Sequence, residues 1–274
     1  MRVLLGRKLV VFGLVIILLL LVMVIFAPLL TPYDPTRTDL KAALQQPTWA
    51  HPLGTDEVGR DTWARLVFGS RVSLLIGLVV VFVAAIVGTA LGTIAAFYES
   101  WVGSIIMRVM DALMAVPMIM LAMVIAALLG GGVLNVMIAL SVGLVPAYAR
   151  LMYGQVLTVK QNDYILAEKA IGSRGAHVML RHLLPNCLPQ LLVVMAMMLG
   201  GAILAEAALS FLGIGIKPPL ATWGNMVNYG QDDLATNPLL VFAPGIAIML
   251  VVFAFNMVGD GLRDALDPRL RGTI

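Results

Sequence analysis

The run Val72-Ser-Leu-Leu-Ile-Gly-Leu-Val-Val-Val-Phe-Val-Ala-Ala-Ile-Val-Gly-Thr-Ala-Leu-Gly-Thr-Ile-Ala-Ala-Phe97 holds 26 residues without one charge. A helix on a water-soluble core needs a polar face opposite its apolar stripe. This run is apolar on every face, and it exceeds the roughly 20 residues that a helix needs to cross bilayer hydrocarbon. The rest of the chain agrees. Of its 274 residues 61% are hydrophobic and 12% charged, with a mean hydropathy of +0.98, against about 45–50% and about 25% in ordinary globular domains. Glycine (26) and proline (14) are as frequent as membrane helices allow. The single cysteine, Cys187, excludes an intrachain disulfide and a cysteine zinc cage. A net charge of +3 with no dense basic run excludes a nucleic-acid binder.

Apolar windows of this kind occur six times, at 9–30, 72–97, 109–129, 133–153, 189–212 and 239–259. The sequence therefore predicts an all-α polytopic membrane protein with six transmembrane helices. Arg2, Arg7 and Lys8 ahead of the first run also suit a secretory signal peptide. That run is longer than the roughly 7–15 residues of such a core, and Ala27 meets Pro28 with no A-x-A cleavage site, so the helix is expected to be retained. Between the spans lie loops at 31–71, 154–188 and 213–238, a turn from Glu99 to Trp101, and the turn Gly130-Gly131-Gly132. With the N-terminus inside, twelve of the 18 basic residues fall on the inner segments, which predicts an N-in/C-in topology. The chain divides into a first helix with its outer loop (1–71), a five-span core carrying the inner loop 154–188 (72–260), and a cytoplasmic tail (261–274).

Absences narrow the function. There is no G-x-x-x-x-G-K-[ST] phosphate loop, no H-E-x-x-H and no G-x-S-x-G. The histidines are His51, His177 and His182. His177 and His182 stand five apart, off one face of an α-helix, so no metal pair is expected. No catalytic residue, cofactor or metal is predicted. Within spans the ionisable residues are Asp111, expected near an inner helix end, and Glu206, deeper in its span. Each belongs either to a hydrated path or to a polar helix interface. Met107, Met110, Met114 and Met118 recur at helical spacing, which predicts a packing stripe rather than a soft-metal path. Gly88-x-x-x-Gly92, Ala196-x-x-x-Gly200 and Gly201-x-x-x-Ala205 predict close helix contacts, within the chain or to a partner.

The loop at 154–188 is longer than a connection requires. Asn162 or Asp163 can cap a short helix that runs to Ile171; Gly172 breaks it; Ser173 can cap a second helix, closed by Pro185. Two short helices with mixed faces at the membrane surface suit docking of a soluble protein, or else an interfacial pair on lipid.

Here the sequence resembles the transmembrane subunits of binding-protein-dependent ABC importers, whose cytoplasmic signature is E-A-A, three residues, G, nine residues, I-x-L-P. Leu166-Ala167-Glu168 stands at E-A-A, followed by Lys169-Ala170-Ile171, Gly172, nine residues and His182-Leu183-Leu184-Pro185. Glycine, leucine and proline match, while Leu166, Glu168 and His182 depart from the pattern. The stretches His51-Pro-Leu-Gly-Thr-Asp-Glu-Val-Gly-Arg-Asp61, Glu206-Ala-Ala-Leu-Ser-Phe-Leu-Gly213, Pro218-Pro-Leu-Ala-Thr-Trp-Gly-Asn-Met226 and Gly259-Asp-Gly-Leu-Arg-Asp-Ala-Leu-Asp-Pro268 are similar to the C-type subunit of the peptide and nickel importers.

The resemblance implies a type I ABC importer permease fold in a prokaryotic inner or plasma membrane. It implies a homologous B-type permease as heterodimer partner, one or two cytoplasmic ATP-binding subunits, and an extracytoplasmic binding protein that delivers di- or oligopeptides or related ligands such as nickel chelates. ATP hydrolysis would lie on the partners. Coupling to them would fall on Ala167, Glu168, Lys169, Ala170, Ile171, Gly172, Ser173, Leu184 and Pro185, with Gly172 allowing a sharp turn where a side chain would clash. A bulky residue or aspartate there is expected to abolish uptake. The alternative is an ion-coupled secondary transporter, for which Glu206 is the one candidate and no internal repeat is present.

Overall fold

The computed structural model is described over residues 7–98 and 100–266, leaving aside the side chain of Lys169. Arg2, Glu99 of the first short turn, and the tail from residue 267, with Arg269 and Arg271, lie outside the described residues. Among the described residues nine helices carry the architecture: α1 (Lys8–Ile25), α2 (Thr62–Tyr98), α3 (Trp101–Met114), α4 (Met118–Leu129), α5 (Val133–Lys160), α6 (Asp163–Ala170), α7 (Leu184–Phe211), α8 (Trp223–Gly230) and α9 (Leu239–Leu266). Among the described residues five helical segments are individually long and apolar enough to cross a bilayer, and the count reaches six when α3 and α4, bent at 91°, are taken together as one span.

The core lies between α2, α5 and α7, where Ile76, Val80, Ala84, Leu140, Tyr148 and Leu209 are fully enclosed. A second cluster joins α2, α7, α8 and α9 through Leu66, Ile203, Trp223 and Val251. Many large apolar side chains point outward, among them Leu78, Phe82, Leu128, Leu134, Phe242 and Met249. In water this surface would be a liability; in a bilayer it is the solvated face.

Small residues decide which helices touch. A Cβ on Gly88 would lie 2.7 Å from the Val145 carbonyl oxygen, and one on Gly92 3.0 Å from the Met152 Cβ, so α2 and α5 meet backbone to backbone. Gly200 likewise admits Val252 of α9, with 3.0 Å from a built Cβ to its Cα. These contacts are within the chain. Gly201 is different: a Cβ there meets nothing within 4 Å.

Several element boundaries differ from the sequence reading. The first span ends at Ile25, and Ala27–Leu30 forms a separate turn with Pro28 near its start, because a proline this deep would remove a helix hydrogen bond. The second begins ten residues early, at Thr62, since Asp61 Oδ2 accepts from the Ala64 amide at 2.7 Å; Arg65 and Arg71 mask this part of the helix in a hydropathy window. The third is not straight. Pro117 has no amide to donate and pushes Val116 out of helical backbone, so α3 and α4 meet at 91°. Met118 therefore lies beyond the bend from Met107, Met110 and Met114, and the methionines do not form one stripe.

Candidate coupling site

The loop at 154–188 is more helical than expected. α5 continues past the fourth span to Lys160, whose Nζ donates to the carbonyls of Ala96 (3.2 Å) and Phe97 (2.8 Å) in the last turn of α2. A cation on terminal helix carbonyls is favourable. The ends of α2 and α5 are thus tied together where the loop departs. After Gln161 and Asn162 the chain turns into α6, anchored by Ile165, which is fully buried.

Around that anchor the candidate residues are presented outward. Leu166, Ala167, Ala170 and Ile171 are exposed, Ile171 at 78%. α6 ends with Gly172 at φ +78°, and the Ser173 amide reaches back to the Glu168 carbonyl at 3.1 Å. This six-to-one closure with a left-handed residue is a Schellman arrangement. A Cβ on Gly172 would meet nothing within 4 Å. The glycine is therefore required by its backbone angle, not by a neighbouring atom that a side chain would strike, which corrects the clash inferred from sequence.

Two further expectations about the loop fail. Ser173 does not cap the second helix: the cap position is Arg174, without a side-chain bond, while the Ser173 hydroxyl donates to Glu168 Oε2. Pro185 does not close that helix either. From Gly175 the chain runs through a π-helical stretch, Val178–Leu183, directly into α7, with Pro185 in the first turn. The Leu184 amide bonds the Met179 carbonyl, five residues back. A proline is tolerated there because the wider turn has already shifted the hydrogen-bond register. The same wide turn brings His177 and His182 together, their ring centroids 5.6 Å apart, although an α-helical reading separates them. His182 Nε2 is also 3.4 Å from Glu168 Oε1. Leu184 is half-buried and Pro185 exposed; the Lys169 side chain lies outside the described residues.

The intramembrane carboxylates are not brought together. Asp111 of α3 is half-exposed and ion-paired with Arg150 of α5. Glu206 is fully enclosed. Its Oε1 accepts from Ser210 Oγ at 2.8 Å and its Oε2 faces Ser73 Oγ at 3.4 Å. Ser73 Oγ in turn accepts from the Trp223 amide at 3.2 Å, so the knot joins α2, α7 and the start of α8. Thr222 and Asn225 form a reciprocal capping box there. Trp223 stood in the sequence only as part of the 218–226 stretch and Ser73 had no role there, since nothing in sequence relates positions 150 residues apart.

At the opposite end of the bundle, the stretch from His51 to Asp61 is a clamp on the start of α2. Asp56 accepts from the amides of Val58 (3.1 Å) and Arg60 (2.9 Å) and pairs with Arg60 Nε at 2.6 Å. Asp61 pairs with His51 Nδ1 at 2.8 Å.

A bundle of apolar, membrane-length helices with a helical loop at one end defines a multi-pass membrane protein. Comparison with known proteins gives the family. Residues 88–272 match the model described as the binding-protein-dependent transport system inner membrane component, and residues 1–47 match the N-terminal TM domain of oligopeptide transport permease C. The chain belongs to the family of binding-protein-dependent transport system inner membrane components. It is 42% identical over 265 residues to the dipeptide transport system permease protein DppC of Alkalihalophilus pseudofirmus, covering 97% of this chain and 87% of that one. It is 41% identical over 256 residues to the glutathione transport system permease protein GsiD of Pectobacterium atrosepticum, covering 93% and 85%. To the probable D,D-dipeptide transport system permease protein DdpC of Escherichia coli it is 42% identical over 267 residues, covering 97% and 90%. An inward-facing structure of the MetNI methionine ABC transporter shares the fold, with a TM-score of 0.62 at 18% identity over 74% of this chain and 96% of that one. The chain is a bacterial multi-pass permease subunit, not an enzyme; ATP hydrolysis belongs to separate ATP-binding subunits. These relationships do not favour an ion-coupled transporter.

Proposed function

We propose that this chain is the C-type half of the translocation path of an ATP-driven importer for di- or oligopeptides or related ligands, in the inner membrane with both termini cytoplasmic. Its partners are a B-type permease subunit, one or two cytoplasmic ATPases and an extracytoplasmic binding protein. The observation that carries this reading is the exposed apolar edge of α6, Leu166, Ala167, Ala170 and Ile171, held on a buried Ile165 at the end of two tied spans. An apolar edge on a stiff, anchored element suits docking of another protein and transmission of its motion. Peptide chemistry is supported by the relatives, which are named for dipeptide, glutathione and D,D-dipeptide transport.

The second permease subunit is assigned to the apolar groove between α2 and α7, about 590 Å³ in volume and lined by Phe82, Ile86, Leu188 and Met195 among others. Thr89 and Thr93 place beside it hydroxyls that find no hydrogen-bond partner among the described residues. Glu206 is assigned to the helix interface that holds α8, and Asp111 to the contact of the broken third span with α5. Uptake by proteoliposomes holding this chain, the partner permease and the ATPases, with binding protein and ATP supplied, tests the reading. ATP-dependent accumulation of peptide is expected. Accumulation driven by an ion gradient and indifferent to ATP would overturn it.

A further inference from the structure

We propose that Glu168, His177 and His182 form a site for a single divalent transition-metal cation of the zinc, nickel and cobalt class, bridging the two arms of the loop. Glu168 lies on α6, before the Gly172 turn; both histidines lie after it. Each offers one ligand atom, and the three atoms lie within 4.8 Å of one another. A tetrahedral zinc with bonds of about 2.0–2.1 Å needs them about 3.3 Å apart; His182 Nε2 and Glu168 Oε1 already stand at 3.4 Å, and the exposed His177 ring would have to turn toward them.

Three details argue for a site rather than a chance cluster. The π-helical turn is needed to bring the histidines together, since it stacks residues five apart. His182 Nε2 is shielded from solvent, has no hydrogen-bond partner among the described residues and lies 3.4 Å from Glu168 Oε1. Glu168 Oε2 is held by the Ser173 hydroxyl, which leaves Oε1 turned toward the histidines. Ligating carboxylates are commonly oriented by such an outer hydrogen bond. Two imidazoles and one carboxylate select the borderline transition metals over calcium or magnesium, which favour all-oxygen sets. The exposed side of His177 leaves a further coordination position open to solvent. A bound ion would cross-link α6 to the arm that continues into α7, across the one left-handed residue between them.

The test uses the full-length chain, purified in mild detergent through a tag without histidines, stripped of metal and titrated with Co²⁺. The expected result is one Co²⁺ per chain, with visible absorption bands of a nitrogen- and oxygen-ligated ion, displaced by Zn²⁺ and not by millimolar Mg²⁺. His177→Asn is expected to weaken binding at least about tenfold, as loss of a ligand or of its orienting partner does. His177 is exposed, so this variant keeps its fold; Glu168→Gln is the second variant and is expected to weaken binding as well. Failure of the unaltered chain to bind Co²⁺, displacement by Mg²⁺, or equal binding by both variants would overturn the proposal. Binding is read on the isolated subunit, so its outcome is separate from that of the transport reading.

Discussion

Lys160 Nζ lies 2.8 Å from the Phe97 carbonyl oxygen, so the last turn of α5 is fastened to the last turn of α2 at the root of the loop that carries α6. The same ammonium reaches the Ala96 carbonyl at 3.2 Å and stands 5.7 Å from the centre of the Phe97 ring. Force passed through α6 would therefore reach two spans at once.

Replacing Lys160 with methionine keeps the stem and removes the charge. A loss of about 1 kcal/mol of stability is expected from the lost cation-to-carbonyl contacts, read as a lower unfolding midpoint in detergent. ATP-driven uptake should fall more than membrane abundance does. Lys160→Arg should restore both in part.

At Gly172 the open space around the built Cβ separates two explanations. If only the φ of +78° matters, Asn, which tolerates the left-handed region, should retain most uptake, Ala less, and β-branched Val least. Left-handed backbone costs a Cβ-bearing residue about 1–2 kcal/mol. Uptake at matched membrane abundance checks the order. Asn as damaging as Val would instead place a partner surface directly against this residue.

Glu206 can be tested without assuming a role in transport. Glu206→Gln keeps an oxygen for Ser210 and should retain the fold, whereas Glu206→Leu leaves the Ser73 and Ser210 hydroxyls without their acceptor in a closed site. Leaving buried polar groups unsatisfied costs about 1–3 kcal/mol each. The leucine variant should unfold at clearly lower temperature and loosen α8, with hydrogen exchange increased around Trp223.

The glycines make a paired prediction. Gly92→Val drives a side chain into the Ala149 backbone and should prevent accumulation of the protein in the membrane. Gly201→Ala enters open space and should be neutral. Immunoblots of isolated membranes distinguish the two.

The long apolar runs were legible because lipid leaves no other use for them, and the glycine turn at 130–132 because only glycine tolerates three successive positive φ values. The loop motif marked Gly172 as a break, though the reason is its positive φ and not the clash read from sequence. Other features depended on contacts that no window contains. The early start of α2 rests on the carboxylate of Asp61, and its charged first turns are invisible to a hydropathy average. Pro117 was within the third apolar run, but composition does not say whether proline bends a membrane helix or breaks it; here it breaks it. Pro185 was read as a stop because an α-helical register was assumed, and the π-helical turn before it removes that premise. With the register went the separation of His177 from His182. The carboxylate knot around Glu206 joins positions far apart in sequence and emerged only from packing.

The most direct measurement uses a cysteine at Ala167 on the exposed edge of α6, in a chain where the native thiol, Cys187, is fully buried. With the importer assembled in its membrane, Ala167→Cys should cross-link to an ATP-binding subunit carrying thiols on its own docking face, and the yield should change when ATP is added. Absence of any such cross-link, together with labelling of the same thiol by a membrane-impermeant maleimide from outside intact cells, would contradict both the docking role of the loop and its cytoplasmic placement.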